Sequence, residues 1–302
     1  MGTLEPVKVL LIADDLTGAC DAAAQFRRRG ATTRVALGGY EPCEVLAVST
    51  DSRGLPAAVS EARIGEVAAR AGAWQPEVIF KKIDSLWRGD QATEIRLCQE
   101  AFGCDEAIIT PAFPAMGRRV VGGKLLVDSL PAWQPLPVAA LDASTDADLD
   151  ALVDRGLAAS RRVLWAGSAG LAAALARRLF PASVLFCIGS EHEVTRQQLA
   201  ALGGHDGYRL ASIPWGALTD AAVLAMLARE RFTALLLTGG DTAAQVCRAI
   251  GATGITLEGE IVTGLPWGRL EEGLYNGMPV ATKSGAFGGP DALLRVLRYF
   301  VG

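Results

Sequence analysis

The sequence predicts an α/β protein of two domains, each a largely parallel sheet flanked by helices, and three observations carry that expectation. An apolar strand, a short turn of Gly, Ser, Thr or Asp, and an Ala/Leu-rich helix recur along the chain. Aromatic residues make up only 6% of it, while Ala, Leu, Val and Gly are plentiful, which suits helices packed closely on parallel strands. The 302 residues, half of them hydrophobic, suffice for about two domains of ordinary size.

The units run in order as follows. Within Lys8–Arg29, Val9-Leu10-Leu11-Ile12 is a strand, Asp14–Gly18 its turn, and a helix follows from Ala19. Val78-Ile79-Phe80 ends a buried strand and Ala92–Leu97 reads as a helix. Within Arg162–Leu179, Val163-Leu164-Trp165 meets Gly167-Ser168-Ala169-Gly170 and a helix from Leu171. In Val184–Leu202 the strand runs into Gly189-Ser190, and Thr195-Arg196-Gln197-Gln198 opens or continues a helix. In Thr233–Ile250, Leu235-Leu236-Leu237 meets Thr238–Thr242; in Pro279–Phe300, Val280-Ala281-Thr282 leads to Lys283–Gly289 and a closing helix. Pro131–Pro137 has a linker-like composition, and a second break at Leu179–Ser183 sets the expected boundary, giving domains 1–180 and 181–302. The units differ too much in sequence for a solenoid.

Ligands of such sheets bind at the carboxyl ends of the strands, where these turns lie. The turn at 80–90 is the richest in chemistry: Lys81, Lys82, Asp84, Ser85, Arg88 and Asp90 crowd one strand-to-helix connection. It suits an anionic, hydroxyl-rich small molecule, although an exposed loop with surface ion pairs has the same composition. Asp14-Asp15 at a strand end can supply a general base or bind a polyol, or one of them can simply cap the next helix. In the C-terminal part, Gly239-Gly240-Asp241-Thr242 and Ser284-Gly285 with Gly288-Gly289 fit phosphate-binding turns ahead of helices. Lys283 can neutralise a phosphate there, and Asp241 and Thr242 are oxygen donors for magnesium.

Several classes fall away. No GxxxxGK[ST] loop occurs, and the first turn is not GxGxxG, so neither a P-loop protein nor a dinucleotide-binding domain is expected. Net charge is −4, with 29 basic and 33 acidic residues spread evenly, which excludes nucleic acid as the expected partner. Two histidines, His192 and His205, give a histidine metal site or a serine triad little to build on. Cys20, Cys43, Cys98, Cys104, Cys187 and Cys247 form no CxxC pair and read as buried free thiols. No signal-peptide-like region opens the sequence and no apolar run reaches the ~18 residues of a membrane span, so a cytoplasmic protein without membrane contact is expected.

In the first half, Ile12–Ala19 with Asp21, Ser52-Arg53, the Lys81–Gly89 turn, Pro111-Ala112-Phe113-Pro114 with Gly117-Arg118, and Gly167–Leu171 resemble the substrate-binding half of the four-carbon acid sugar kinase family. Gly189-Ser190 with Thr195 and Gln198, Gly239–Thr242, Gly259-Glu260, Gly264-Leu265-Pro266 and Lys283–Gly288 resemble its nucleotide-binding half. The resemblance runs from about residue 8 to 295 in the same order. It implies an ATP-dependent kinase acting on a tetronate such as threonate, erythronate or an oxo derivative. The acid would lie against Asp14, Asp15, Arg53, Lys81, Lys82, Asp84, Ser85 and Arg88. ATP would lie against Ser190, Thr195, Gly239, Gly240, Asp241, Thr242, Lys283, Ser284 and Gly285, and the two ligands would meet in a cleft between the domains. Arg53 and one of Lys81 or Lys82 would hold the carboxylate; Asp15 is the first choice for the catalytic base and Asp84 the second. Mg2+ is expected with ATP, its ligands unassigned, and a homodimer is left open. Where the family turn reads Asp-Ser-Thr-Leu-Arg-Gly, this chain has Asp84-Ser85-Leu86-Trp87-Arg88-Gly89, and the segment after Pro114 is shorter, so a larger or more apolar acid is an option. A non-catalytic sensor of an acid sugar or nucleotide is the competing class. A dehydrogenase or isomerase of the same acids fits less well, lacking GxGxxG and metal-type histidines.

Overall fold

The computed structural model describes residues 7–128, 134–203, 205–214, 218–230 and 232–301. The chain divides into two compact units, Met1–Phe180 and Pro181–Gly302. In the first unit the elements are β1 (Val9–Ala13), α1 (Leu16–Arg27), β2 (Thr33–Ala36), β3 (Val45–Ser49), α2 (Ala57–Ala71), β4 (Val78–Lys82), α3 (Gln91–Ala101), β5 (Glu106–Thr110), β6 (Arg118–Val121), β7 (Lys124–Val127), β8 (Gln134–Pro135), α4 (Asp146–Leu157), β9 (Val163–Gly167) and α5 (Ala169–Leu179). In the second they are β10 (Val184–Ile188), α6 (Glu193–Ala201), β11 (Tyr208–Ser212), α7 (Asp220–Leu227), β12 (Ala234–Thr238), α8 (Gly240–Ile250), β13 (Gly254–Val262), β14 (Leu265–Glu271), β15 (Pro279–Lys283) and α9 (Ala292–Val301).

Six parallel strands form the main sheet of the first unit, in the order β2-β3-β1-β4-β9-β5. Every residue of β1 is buried, as a central strand covered on both faces requires. Helix starts are marked by side chains that take up otherwise unpaired N–H groups: Asp15 for α1, Asp90 for α3, Thr145 with Asp148 for α4 and Ser168 for α5. Each such cap contributes about 1 kcal/mol. Between β5 and α4 the chain leaves the main sheet and builds a small antiparallel sheet, β6-β7-β8. The linker reading at Pro131–Pro137 falls partly outside the described residues; Gln134–Pro135 pair with β7 as β8.

The second sheet runs β11-β10-β12-β15-β14-β13, parallel through β15 and antiparallel at the β14–β13 edge. Alternation along its strands divides the core. Leu185, Cys187, Leu235 and Leu237 pack with Val223, Val246 and Ile250 on the α7–α8 side. Val184, Phe186, Ala234 and Leu236 pack with Leu202, Leu293 and Val296 on the α6–α9 side. A strand's period of two sends successive side chains to opposite faces, so both faces need a helical cover. Cys98, Cys104 and Cys187 are buried thiols as read from the sequence, whereas Cys20 is exposed and Cys43 and Cys247 are only partly buried. Among the described residues no helix is long and apolar enough to cross a membrane.

Candidate functional site

In the first unit, β3, β1 and β4 are neighbours, and their register sets Ala13 beside both Ser49 and Lys82. The turns that follow these strands therefore converge. With the start of α1 and of β6 they line an open cleft of about 290 Å³. That is the room of roughly ten waters, enough for a small polar molecule. Its walls carry Asp15, Thr17, Gly18 and Asp21 from the α1 side, Arg53 after β3, and Lys82, Asp84, Ser85, Leu86 and Arg88 from the β4 turn. Arg118 of β6 completes them.

Arg53 is bound on three nitrogens. Its Nε and Nη2 donate to the two oxygens of Asp14 at 2.8 Å each, and its Nη1 lies 2.6 Å from Asp15 Oδ2. Asp14 is buried and also accepts from Gln91 at 3.0 Å. Burial alone would raise its carboxyl, but the Arg53 bond, the Lys81 charge and the Gln91 bond outweigh it and hold Asp14 below the usual range. Asp14 thus sits behind the cleft wall and steadies Arg53. Asp15 faces the cleft with 27% of its side chain exposed, while its Oδ1 accepts from Gly18 N at 2.6 Å. It caps a helix and presents a carboxylate at once.

Asp84 is nearly enclosed. It accepts from the backbone of Leu86 and Arg88 at 2.9 and 3.2 Å, and from Arg88 Nε and Nη2 at 3.1 and 2.7 Å. Burial works to raise its pKa, and the Arg88 side chain and the two backbone bonds overcome that, leaving it lowered. Its geometry is that of a turn organiser. Of the Leu86-Trp87 pair, Leu86 reaches the cleft, while Trp87 is buried with a left-handed backbone (φ 59°).

Two expected substrate contacts lie off the cleft, Asp14 behind its wall and Lys81 beneath it. Lys81 is fully buried and does not line the cleft; its Nζ lies 2.6 Å from Glu94 Oε2. The cause is the strand period, which sends Lys81 and Lys82 to opposite faces of β4. Glu94 Oε1 accepts from Ser52 Oγ at 2.5 Å and Ser60 Oγ at 3.1 Å. Ser52 in turn meets Thr50 Oγ1, which donates to Ala13 O. This buried network joins the turns after β1 and β3 to β4 and α3. Lys82, on the other face, does line the cleft, with its Nζ donating to Ile83 O at 3.0 Å. Burial depresses its pKa, partly offset by Asp21, Asp84, Asp14 and Asp15.

Sequence reasoning did not assign Thr17, Asp21 or Arg118 to the site. The signal for Thr17 and Asp21 was present, since residues 17, 18 and 21 share one face of a helix that starts at Leu16. Arg118 Nη1 donates to Ser85 Oγ at 2.7 Å across 33 residues, a contact no local pattern reveals.

In the second unit, Ser190 follows β10, Gly239 follows β12, and Ser284-Gly285 follow β15, three adjacent strands. The chain leaves β10 towards β11 on one side and returns to β12 on the other, so this is a topological switch point. Gly239 has φ 100°, a conformation that disfavours any side chain, and it offers α8 no capping side chain. The first-turn N–H groups of α8 thus carry the positive end of the helix dipole without a cap of their own. A Cβ at Gly285 would collide with Ser190 Oγ, so the two turns touch only because residue 285 is glycine.

Buried side chains brace these turns. Lys283 Nζ donates to Ser284 O at 2.9 Å and Gly285 O at 3.1 Å, and Thr195 Oγ1 donates to Gly285 O at 2.9 Å. Burial lowers Lys283 to about 8. Gln198 Nε2 reaches the carbonyls of Phe287, Gly288 and Gly289 at 2.9 to 3.0 Å. Asp241 is exposed in the first turn of α8, whereas Thr242 is buried and its Oγ1 donates to Ile213 O at 3.2 Å. Of the two expected magnesium donors, only Asp241 faces outward. Among the described residues, no group of three or more His, Cys, Asp or Glu is placed to hold a metal.

Fold and geometry together define a two-unit α/β protein with a small charged cleft in one unit and glycine-rich turns at a topological switch point in the other. A model of a sugar-binding N-terminal domain matches residues 9–137, and a model of a nucleotide-binding C-terminal domain matches residues 216–293. The chain is 32% identical to a D-threonate kinase of Bordetella bronchiseptica, across 94% of this chain and 95% of that protein. It is 24% identical to a D-erythronate kinase of Heliobacterium modesticaldum, across 97% of each. The first alignment spans 387 positions against 302 residues here, so that relative carries segments this chain lacks. A crystal structure of a domain of unknown function from B. bronchiseptica, with bound citrate and described as a domain-swapped dimer, is similar at 30% identity and a TM-score of 0.60, covering 98% of each chain. The chain belongs to the four-carbon acid sugar kinase family.

Proposed function

We propose that this protein is an ATP-dependent kinase that phosphorylates a hydroxyl of a short-chain sugar acid of the tetronate class. The observation that carries the reading is the cleft of the first unit. A part-exposed carboxylate, Asp15, is fixed there between a helix N–H and Arg53, among cations that suit an acid. The names of the relatives, matched along nearly their whole length, support the same chemistry.

Residues 1–180 take the acid sugar and 181–302 the nucleotide. Lys82 and Arg88 draw in the anion, and Asp15 meets the reacting hydroxyl and accepts its proton as the substrate oxygen bonds to the γ-phosphorus and the bond to ADP breaks. Arg53 holds Asp15 in place, and Asp84 shapes the turn that presents Ser85 and Arg88. Ser190, Gly239, Gly240 and Gly285 offer backbone and hydroxyl donors to the phosphates; Lys283 and Thr195 brace that surface from within. Mg2+ would add charge neutralisation on the phosphates. Kinases hold it largely through the nucleotide with one or two carboxylates, and exposed Asp241 fits that need. Free cysteines favour the cytoplasm, and the related domain-swapped dimer favours a homodimer.

The test is ADP release measured with Mg-ATP over a panel of four- to six-carbon sugar acids that includes D-threonate and D-erythronate. Turnover on at least one four-carbon acid is expected. Tight acid or nucleotide binding with no turnover on any member would replace the kinase reading with that of a sensor.

A further inference from the structure

Arg118 is the guanidinium in the cleft whose charge the protein leaves without a carboxylate. Arg53 is bridged to Asp14 and Asp15, Arg88 to Asp84, and Lys81, beneath, to Glu94. No described carboxylate lies within ion-pairing distance of Arg118. Its Nη1 donates to the neutral Ser85 hydroxyl at 2.7 Å, and its buried Nε has no hydrogen-bond partner. A partly buried guanidinium with no carboxylate partner leaves its charge and its remaining Nη N–H groups for an anion.

The backbone beneath it is firmly set. Phe113 and Arg118 exchange both backbone hydrogen bonds, at 2.8 and 3.1 Å, around a left-handed Gly117, and Arg118 pairs with Val127 in the β6–β7 hairpin. The planar fork is therefore presented from a rigid hairpin, as bidentate recognition of a carboxylate requires.

We propose that Arg118, with Ser85 at its side, reads the carboxylate of the sugar acid, and that the β6–β7 hairpin thereby sets the preference for acids over neutral polyols. This rests on the kinase reading and orients its substrate: carboxylate at the Arg118 end of the cleft, reacting hydroxyl at the Asp15 end. Arg53, engaged by Asp14 and Asp15, braces the base instead of gripping the acid.

The experiment compares wild type with Arg118→Met, Arg118→Lys and, as a control, Arg119→Met, whose side chain pairs with Asp128 on the hairpin surface. Rates are measured with D-threonate and with the neutral alditol of the same carbon count, alongside KM for ATP and the melting temperature. Arg118→Met is expected to raise KM for the acid about 100-fold, to leave KM for ATP within about twofold, and to abolish the preference for acid over alditol. Arg118→Lys, which keeps the charge but not the fork, should fall between, and Arg119→Met should match wild type. An acid KM within about threefold of wild type in Arg118→Met, or in Arg118→Lys should the first variant not fold, overturns the inference and leaves the kinase reading intact. So does an equal loss of acid and alditol turnover. Should wild type turn over no acid, the kinase reading fails by itself. Calorimetric titration with D-threonate then decides Arg118: binding lost in Arg118→Met supports its role, and binding retained refutes it.

Discussion

Lys81 and Lys82 stand side by side in the sequence and do unrelated work. Lys82 faces the cleft, while Lys81 lies in a buried pair with Glu94 that ties the β1, β3 and β4 turns together. Removing one member of such a pair strands a charge. Glu94→Ala should lower stability by about 3–5 kcal/mol in urea unfolding, and the double change Lys81→Met with Glu94→Leu should recover most of it. Asp15 offers a cleaner test of chemistry, because asparagine caps a helix as well as aspartate does. Asp15→Asn should therefore melt like wild type, keep its KM for ATP, and lose about 10²–10⁴-fold in kcat; near-normal turnover would remove Asp15 as the base. Lys283 gives a pH signature. Its ammonium favours a nearby anion, and burial places its pKa at about 8. ATP affinity should be full below that pH and fall as pH rises through it, while Lys283→Arg, charged throughout, should stay flat; a flat wild-type profile of KM for ATP between pH 7 and 9.5 would refute the assignment.

At the scale of elements, the site depends on turns that follow adjacent parallel strands. Gly285 lies against Ser190 so closely that a methyl group would meet its hydroxyl oxygen. Gly285→Ala should weaken ATP binding about tenfold or more without changing acid binding, as calorimetry with each ligand will show. The strand–turn–helix units around β1, β4, β9, β10, β12 and β15 were legible in the sequence because each pairs an apolar run with turn residues and a helix. The β13–β14 edge was not. Most of β13 is solvent-exposed and its pairing with β14 shifts register twice, so it carries neither an apolar run nor a clean alternation. The β6–β7 hairpin leaves little signal in the sequence for a related reason: its strands are four residues each, with few buried positions to mark them. Arg118, on that hairpin, was visible only as part of a motif.

For the whole molecule, the two units have separate cores and separate constellations of polar groups. Each ligand should therefore leave its own footprint in hydrogen exchange. A sugar acid should protect the segments 14–21, 83–89 and 113–120, and a non-hydrolysable ATP analogue should protect 189–198, 239–245 and 283–289. Protection by both ligands over the same segments would contradict the assignment of one ligand to each unit. By itself the sequence determined the fold class, the ends of the strands where chemistry gathers, and the family, because local apolar runs and turn chemistry survive in a linear string. Only the tertiary structure decided which cations are free. Arg53 and Arg88 meet their carboxylates, Lys81 turns inward to Glu94, and Arg118 arrives from a distant hairpin without an ionic partner. A charge's availability depends on what neutralises it, and those partners lie up to 39 residues away along the chain.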